Sequence, residues 1–154
     1  MLALTFQVGP HRLVLDTRQI QKVVPRVCLQ AVAGGPACLA GIFVYRGQVV
    51  PVVDLFRLMG MGDCPEHLSA RIILVPRSPQ TPHRLLGLLA AQVADLRDIQ
   101  VDNQALFRLT LPGQPDLGPI LADGQETLHV LDLERLLPEP VRKQLAALGK
   151  ESPP

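Results

Sequence analysis

The stretch LAGIFVYRGQVVPVVDLFRLMG, residues 39–60, decides how this chain is read. Apolar residues at 42–45 and 49–53 are interrupted once, by Arg46-Gly47-Gln48, and the second run closes on Asp54. Short β-branched runs around a glycine-containing break read as a β-hairpin over 42–46 and 48–53. Its tip falls at Arg46-Gly47 or Gly47-Gln48. Gly47 supplies the positive φ such a turn needs, so the turn by itself asks for Gly47 and not for Arg46. Asp54 then reads as the N-cap of one helical turn, 55–59, with Gly60 as its stop.

Part of this stretch returns later in the chain. Gly41-x5-Gly47-Gln48 recurs as Gly118-x5-Gly124-Gln125, and VVDLFRLM (52–59) recurs as VLDLERLL (130–137). Upstream, PHRLVL (10–15) recurs as PHRLLG (82–87). The three matches keep their order at nearly constant offset, which implies two copies of one small β unit. Each copy is too small to bury its own apolar surface, so the two are expected to pack together. Asp132 is then a second helix cap, before 133–137, and Gly118 and Gly124 are turn positions like Gly41 and Gly47.

The remaining punctuation is also that of a β protein. Leu4 to Val8 alternates, Gly9-Pro10 turns and Arg12 to Asp16 resumes, a first hairpin. Residues 72–75 read as a strand, 76–82 as a loop kept extended by three prolines, and 85–93 as a strand rather than a helix because of Gly87. Apolar residues at 141, 145 and 148, after Pro140 and before Gly149, predict a C-terminal helix. Residues 151–154 read as a loose tail. Short strands with Gly/Pro turns favour small barrels or sandwiches.

Composition excludes several functions. With 15 Lys+Arg against 14 Asp+Glu, one Tyr and no Trp, the chain offers neither a basic footprint nor stacking platforms for nucleic acid. Cys28, Cys38 and Cys64 form no C-x-x-C pair, which fits a reducing compartment, and Cys38 reads as a small buried filler. The four histidines are dispersed without metal-ligand spacing, so no metal or cofactor is expected. No apolar run reaches the length of a membrane span, and the N-terminus lacks the basic region of a signal peptide, so a cytoplasmic protein is expected.

The paired Asp54 and Asp132 invite comparison with an aspartic hydrolase, whose two carboxylates share a proton. Such sites follow the aspartate with a small hydroxyl residue and a glycine, whereas here Leu follows both. The capping reading is the stronger. No serine lies in a G-x-S-x-G elbow, and Gly34-Gly35-Pro36 lacks the Lys and Ser/Thr of a phosphate loop. Arg46 is different, since the sister repeat turns the same corner with Asp123. Flanked by Phe43, Val44 and Tyr45, it reads either as a solvated turn charge or as a polar anchor beside an apolar patch.

The segment Gly41-Ile-x-x-Tyr-Arg46-Gly47-Gln48-Val-Val-Pro51-Val-Val-Asp54-Leu55 resembles the signature of CheW-like domains. The likeness extends from about residue 2 to 138 and is weaker in the second half. It implies an all-β fold: two SH3-like, five-stranded β-barrel subdomains, intertwined and packed across a hydrophobic cleft, with a short C-terminal helix. A single domain would span 1–150, with core motifs at 39–60 and 116–137. The implied role is a non-enzymatic adaptor between chemoreceptors and a CheA-type histidine kinase, held at the inner face of the membrane through receptor arrays. Its partners would be the kinase regulatory domain and the receptor's cytoplasmic helical tip. Partner-binding positions would be Arg46, Lys22, Val44, Tyr45, Gly47 and Val49. A generic tandem β-barrel interaction module with another partner is the alternative.

Two departures stand out. Lys22 occupies a position usually acidic in that family, and Ala90-Ala91 stands where Val-Asp is usual. Both are expected to touch partner surfaces more than the core. A reversed charge at Lys22 would favour an acidic partner group, the mark of a divergent paralogue.

Overall fold

The computed structural model describes residues 1–67, 69–100, 107, 111–112 and 114–148, with the backbone alone for Ala94, Asp123 and Leu148. The strands are β1 (Leu2–Val8), β2 (His11–Asp16), β3 (Lys22–Pro25), β4 (Leu39–Tyr45), β5 (Gln48–Asp54), β6 (Arg71–Ser78), β7 (Thr81–Asp98), β8 (Ile120–Asp123) and β9 (Glu126–Val130). The helices are α1 (Leu55–Leu58), α2 (Leu133–Leu136) and α3 (Glu139–Leu148). The two expected hairpins and the C-terminal helix are all present. The tail at 151–154 and the Gly149 stop lie outside the described residues.

The loop expected over 76–82 is strand and turn instead. β6 continues through Pro76 to Ser78, the chain reverses at Pro79-Gln80, and β7 begins at Thr81. Pro76 is tolerated because the ladder is irregular between Pro76 and Ser78, where a missing N–H costs no regular bond.

β7, 18 residues long, organises the molecule. Its first part pairs antiparallel with β6 and parallel with β5, and its second part pairs antiparallel with β1. Two five-stranded halves result, β3-β6-β7-β5-β4 and β7-β1-β2-β9-β8, which share β7. Neither sheet closes fully. In the first half a single bridge brings the two edges together, with Gln30 N–H donating to Ile42 O and Ile42 N–H to Gln30 O, each 2.9 Å. Where β7 passes between halves, Gln92 takes a positive φ of 49°. Ser69 secures this bend by accepting from Val93 N (3.1 Å) and, through Oγ, from Gln92 N (3.3 Å).

The repeats interleave rather than folding one barrel each. The first PHRL segment, in β2, pairs parallel with β9 of the second repeat; the second, in β7, pairs parallel with β5 of the first. A parallel pair needs a long crossover, and exchanging strands between repeats supplies it. Packing then follows. Leu4, Phe6, Val8, Leu13 and Leu15 of β1 and β2 point into one core with Val50, Val52, Ile73, Leu88 and Leu145. Their alternates Ala3 and Val14 join a smaller core with Ile99, Leu121 and Leu128. Both faces of these strands are thus buried.

Two glycines mark close approaches. A Cβ on Gly87 would lie 2.8 Å from Ile72 Cγ2 and 3.0 Å from Val52 Cγ2, so β5, β6 and β7 meet only because that position is bare. Gly41 has φ +150°, and its Cβ would lie 2.7 Å from Gln30 O, in the way of the edge bridge.

Asp54 and Asp132 cap their helices, but unequally. Asp54 is buried; Oδ1 accepts from Phe56 N (2.9 Å) and Oδ2 from Cys64 N (2.8 Å), so it also holds the loop after α1. Asp132 accepts only from Glu134 N, at 3.1 Å, and is partly exposed. Losing a cap costs about 1 kcal/mol, and losing a buried charged acceptor about 2 kcal/mol more. Asp54→Ala should therefore destabilise by about 3 kcal/mol and Asp132→Ala by about 1 kcal/mol. Urea unfolding measures the difference, and equal losses would mean that the Cys64 contact adds nothing.

Candidate functional site

The β4–β5 hairpin turns through two residues, Arg46 and Gly47, between the paired Tyr45 and Gln48. Both turn residues have positive φ, 47° and 77°, as a type I′ turn requires. Gly47 alone therefore does not satisfy the turn. Arg46 is held in a left-handed conformation that Asn, Asp or Gly adopts with less strain. Its guanidinium lies over the Tyr45 ring, 5.3 Å from the centroid, and no carboxylate among the described residues pairs with it. Tyr45 leans in turn on Phe43, with ring centroids 6.4 Å apart.

Strand alternation sorts the flanking residues. Val44 and Val49 are a direct cross-strand pair on the outward face, 69% and 54% exposed. Tyr45 and Phe43 lie on the opposite face and are half-buried. Beside the valines a shallow depression of about 440 Å³ is lined by Val27, Cys28, Ile42 and Phe43. Val27 and Cys28 extend the surface beyond the expected residues, and no pattern in the sequence marked them. β4 is an outer strand. The Val44 N–H and C=O point the same way as those of Ile42, past the end of the Gln30 bridge, and leave ladder groups open at the patch.

The hairpin is fixed beside its turn. Gln48 donates from Nε2 to His83 O (2.9 Å) and accepts at Oε1 from Leu85 N (2.7 Å), tying β5 to β7. Lys22 is not part of this surface. It is exposed at the start of β3, opposite Leu74, on the other outer strand of the same half.

Two other expectations change. Ala90 is fully buried opposite Arg71, just before the β7 crossing, so that departure lies in the core. A bulkier side chain has no room where strands of both halves converge. The histidines are not all dispersed either. His11 and His129 meet edge to face with ring centroids 5.4 Å apart, because β2 and β9 pair in parallel. Burial and then the His11 charge push the His129 imidazole below its ordinary range. Among the described residues no group of three His, Cys, Asp or Glu side chains could hold a metal ion. Burial, reinforced by the Asp54 charge, pushes the Cys64 thiol up to about 11 and raises Cys38 as well. Neither is poised as a nucleophile.

Fold and surface together define a scaffold-type β protein, in which polar groups hold loops and caps while an apolar hairpin faces outward. The chain belongs to the CheW-like domain family, whose model matches residues 2–141; these are non-catalytic chemotaxis scaffolds, and the chain is not an enzyme. It is 28% identical over 137 residues to Protein FrzA of Myxococcus xanthus, covering 86% of this chain and 82% of the relative. To the chemotaxis protein CheW of Treponema pallidum it is 22% identical, covering 94% and 86%. The crystal structure of the scaffolding protein TtCheW from Thermoanaerobacter tengcongensis matches with a TM-score of 0.70 at 21% identity, over 86% of this chain and 84% of that one.

Because Arg46 strains the turn, relieving it separates binding from stability. Arg46→Asn relieves about 1 kcal/mol of strain and loses about 0.5–1 kcal/mol of stacking, so stability should rise by no more than about 0.5 kcal/mol, read as the chemical unfolding midpoint. A loss of stability would mean that the stacked guanidinium outweighs the strain.

Proposed function

We propose that the chain is an adaptor that couples methyl-accepting chemoreceptors to a CheA-type histidine kinase in a chemosensory array. The observation that carries this reading is the contrast between its two equivalent hairpins. In β4–β5 the outward pair is Val44 and Val49, beside an unpaired arginine. In β8–β9 the corresponding pair, one step from the turn, is Ala122 and Thr127, and Glu126 beside the turn is ion-paired with Arg12 at 2.8 Å. One duplicated turn thus carries an ion pair, while the other exposes apolar surface and an arginine that stacks on Tyr45 and has no carboxylate partner among the described residues, the composition of an interface centre.

The β4–β5 hairpin, with Val44, Tyr45, Arg46, Gly47 and Val49, meets the regulatory domain of the kinase. Lys22, on the opposite outer strand, contacts the receptor's helical tip and favours an acidic group there. The protein acts at the cytoplasmic face of the membrane through these contacts; among the described residues no helix is long and apolar enough to cross a membrane. Its effect is geometric, holding two partners at a fixed separation on one body.

Co-sedimentation with receptor cytoplasmic fragments and the kinase tests this. The wild-type protein should pellet with both and change kinase autophosphorylation. Arg46→Glu should weaken that assembly about tenfold, the loss of one interface anchor, with an unchanged unfolding midpoint. Recovery of the wild type in the supernatant, with kinase activity unaltered, would sink the adaptor reading. Unfolding by Arg46→Glu would make Arg46 structural.

A further inference from the structure

A second concave region shares no residue with the hairpin surface. It lies between the β6–β7 hairpin and the α2–α3 segment and has two connected compartments. The inner one, about 350 Å³, is walled by Val75, Leu86, Leu133, Leu136 and Leu145. The outer one, about 480 Å³, opens past Arg18, Gln19 and Gln80. Arg77 and Arg142 line both, at the junction.

Arg77 is unusually placed. Its Nε is buried and has no hydrogen-bond partner among the described residues, where its Nη2 donates to Leu85 O at 3.5 Å. Arg84, a second cation lining the inner compartment, lies close enough to act on it. Burial and then that like charge push the Arg77 guanidinium below its usual range. A buried guanidinium N–H without an acceptor is costly, and a neighbouring cation adds to the cost. Among the described residues the only carboxylate lining either compartment is Glu134, in the outer one. Glu139 pairs with Arg142 at 3.2 Å, where both are largely exposed.

We propose that this cleft binds a small amphiphilic anion, a carboxylate on a short aliphatic chain. The carboxylate sits at the junction of the two compartments, between the guanidinium groups of Arg77 and Arg142. The chain lies among Leu133, Leu136 and Leu145. A few hundred Å³ of apolar wall with convergent cationic donors has the anatomy of a small-ligand site rather than of a flat protein interface. Because its walls come from β6–β7 and from α3, occupancy clamps the C-terminal helix onto the first half.

Sodium octanoate is the probe, with acetate and 1-octanol as its two halves, titrated against the full chain by calorimetry with parallel melting curves. Octanoate should bind saturably and raise the melting temperature, while acetate and octanol do so far more weakly. Arg77→Met, which keeps the apolar stem, should weaken octanoate binding about tenfold or more, the loss of one charge-assisted contact. Ala146→Trp fills the cleft from α3 with Arg77 untouched and should abolish binding, so the test survives if Arg77→Met fails to fold. The proposal is overturned if octanol binds as well as octanoate, if octanoate does not saturate, or if both variants bind like wild type.

Discussion

Everything in this structure depends on one continuous strand. β7 lends its first part to one five-stranded half and its second part to the other, so neither half has a complete sheet without it. The small residues along it follow from that burden. Gly87 leaves room for Ile72 and Val52, Ala90 sits fully buried before the crossing, and Gln92 bends into the left-handed region with Ser69 as its brace. A side chain that would be harmless on a surface strand is excluded where three strands converge.

The same strand makes the outward hairpin rigid. β5 pairs with β7 through Val52, Val53 and Asp54, and Gln48 adds two hydrogen bonds from its side chain to the β7 backbone. At the other end of β5, Asp54 is fixed by Phe56 and Cys64, while Arg57 donates to Leu39 O at 3.1 Å and to Asp63 at 2.7 Å. The hairpin is thus anchored at its base by Asp54 and beside its turn by Gln48. A preordered surface loses little entropy on association, so a few exposed apolar residues count for more than on a mobile loop.

Much of this was legible in residues 39–60. Gly47 marked the turn, Asp54 the cap, and the spacing of the second copy marked the duplication. These are local signals, set by backbone conformation within a few residues. What escaped the sequence was non-local. Nothing in PHRLVL or PHRLLG says that each strand pairs with the opposite repeat, because apolar periodicity fixes which face is buried and not which neighbour lies alongside. From that one gap follow the others: the strand hidden in the proline-rich 76–82 segment, the burial of Ala90, and the meeting of His11 with His129. Arg46 escaped for a different reason. Its side chain could be singled out by comparison with Asp123, but its left-handed backbone is set by the two-residue length of the turn, which the sequence left open between two tips.

Arg46 also shows how duplication separates shape from use. A type I′ turn favours Asn or Asp followed by Gly. The second copy turns one residue later, at Gly124-Gln125, with Asp123 in β8 paired to Glu126, so the sequence match of Arg46 to Asp123 is not a match of turn positions. The first copy departs from that preference with Arg46, at a local cost on the order of 1 kcal/mol. Stacking on Tyr45 returns a comparable amount, about 0.5–1 kcal/mol for an exposed cation–π contact. The two nearly cancel, so fold stability gives no reason to prefer arginine here. Nor does it favour Val49 on the surface over a polar residue such as Thr127, which stands one step from the turn in the sister hairpin. Strain and exposed apolar area coincide at one tip of a rigid hairpin and are missing from its copy's ion-paired face. The make-up of that tip is therefore set neither by the preference of the turn nor by the stability of the fold.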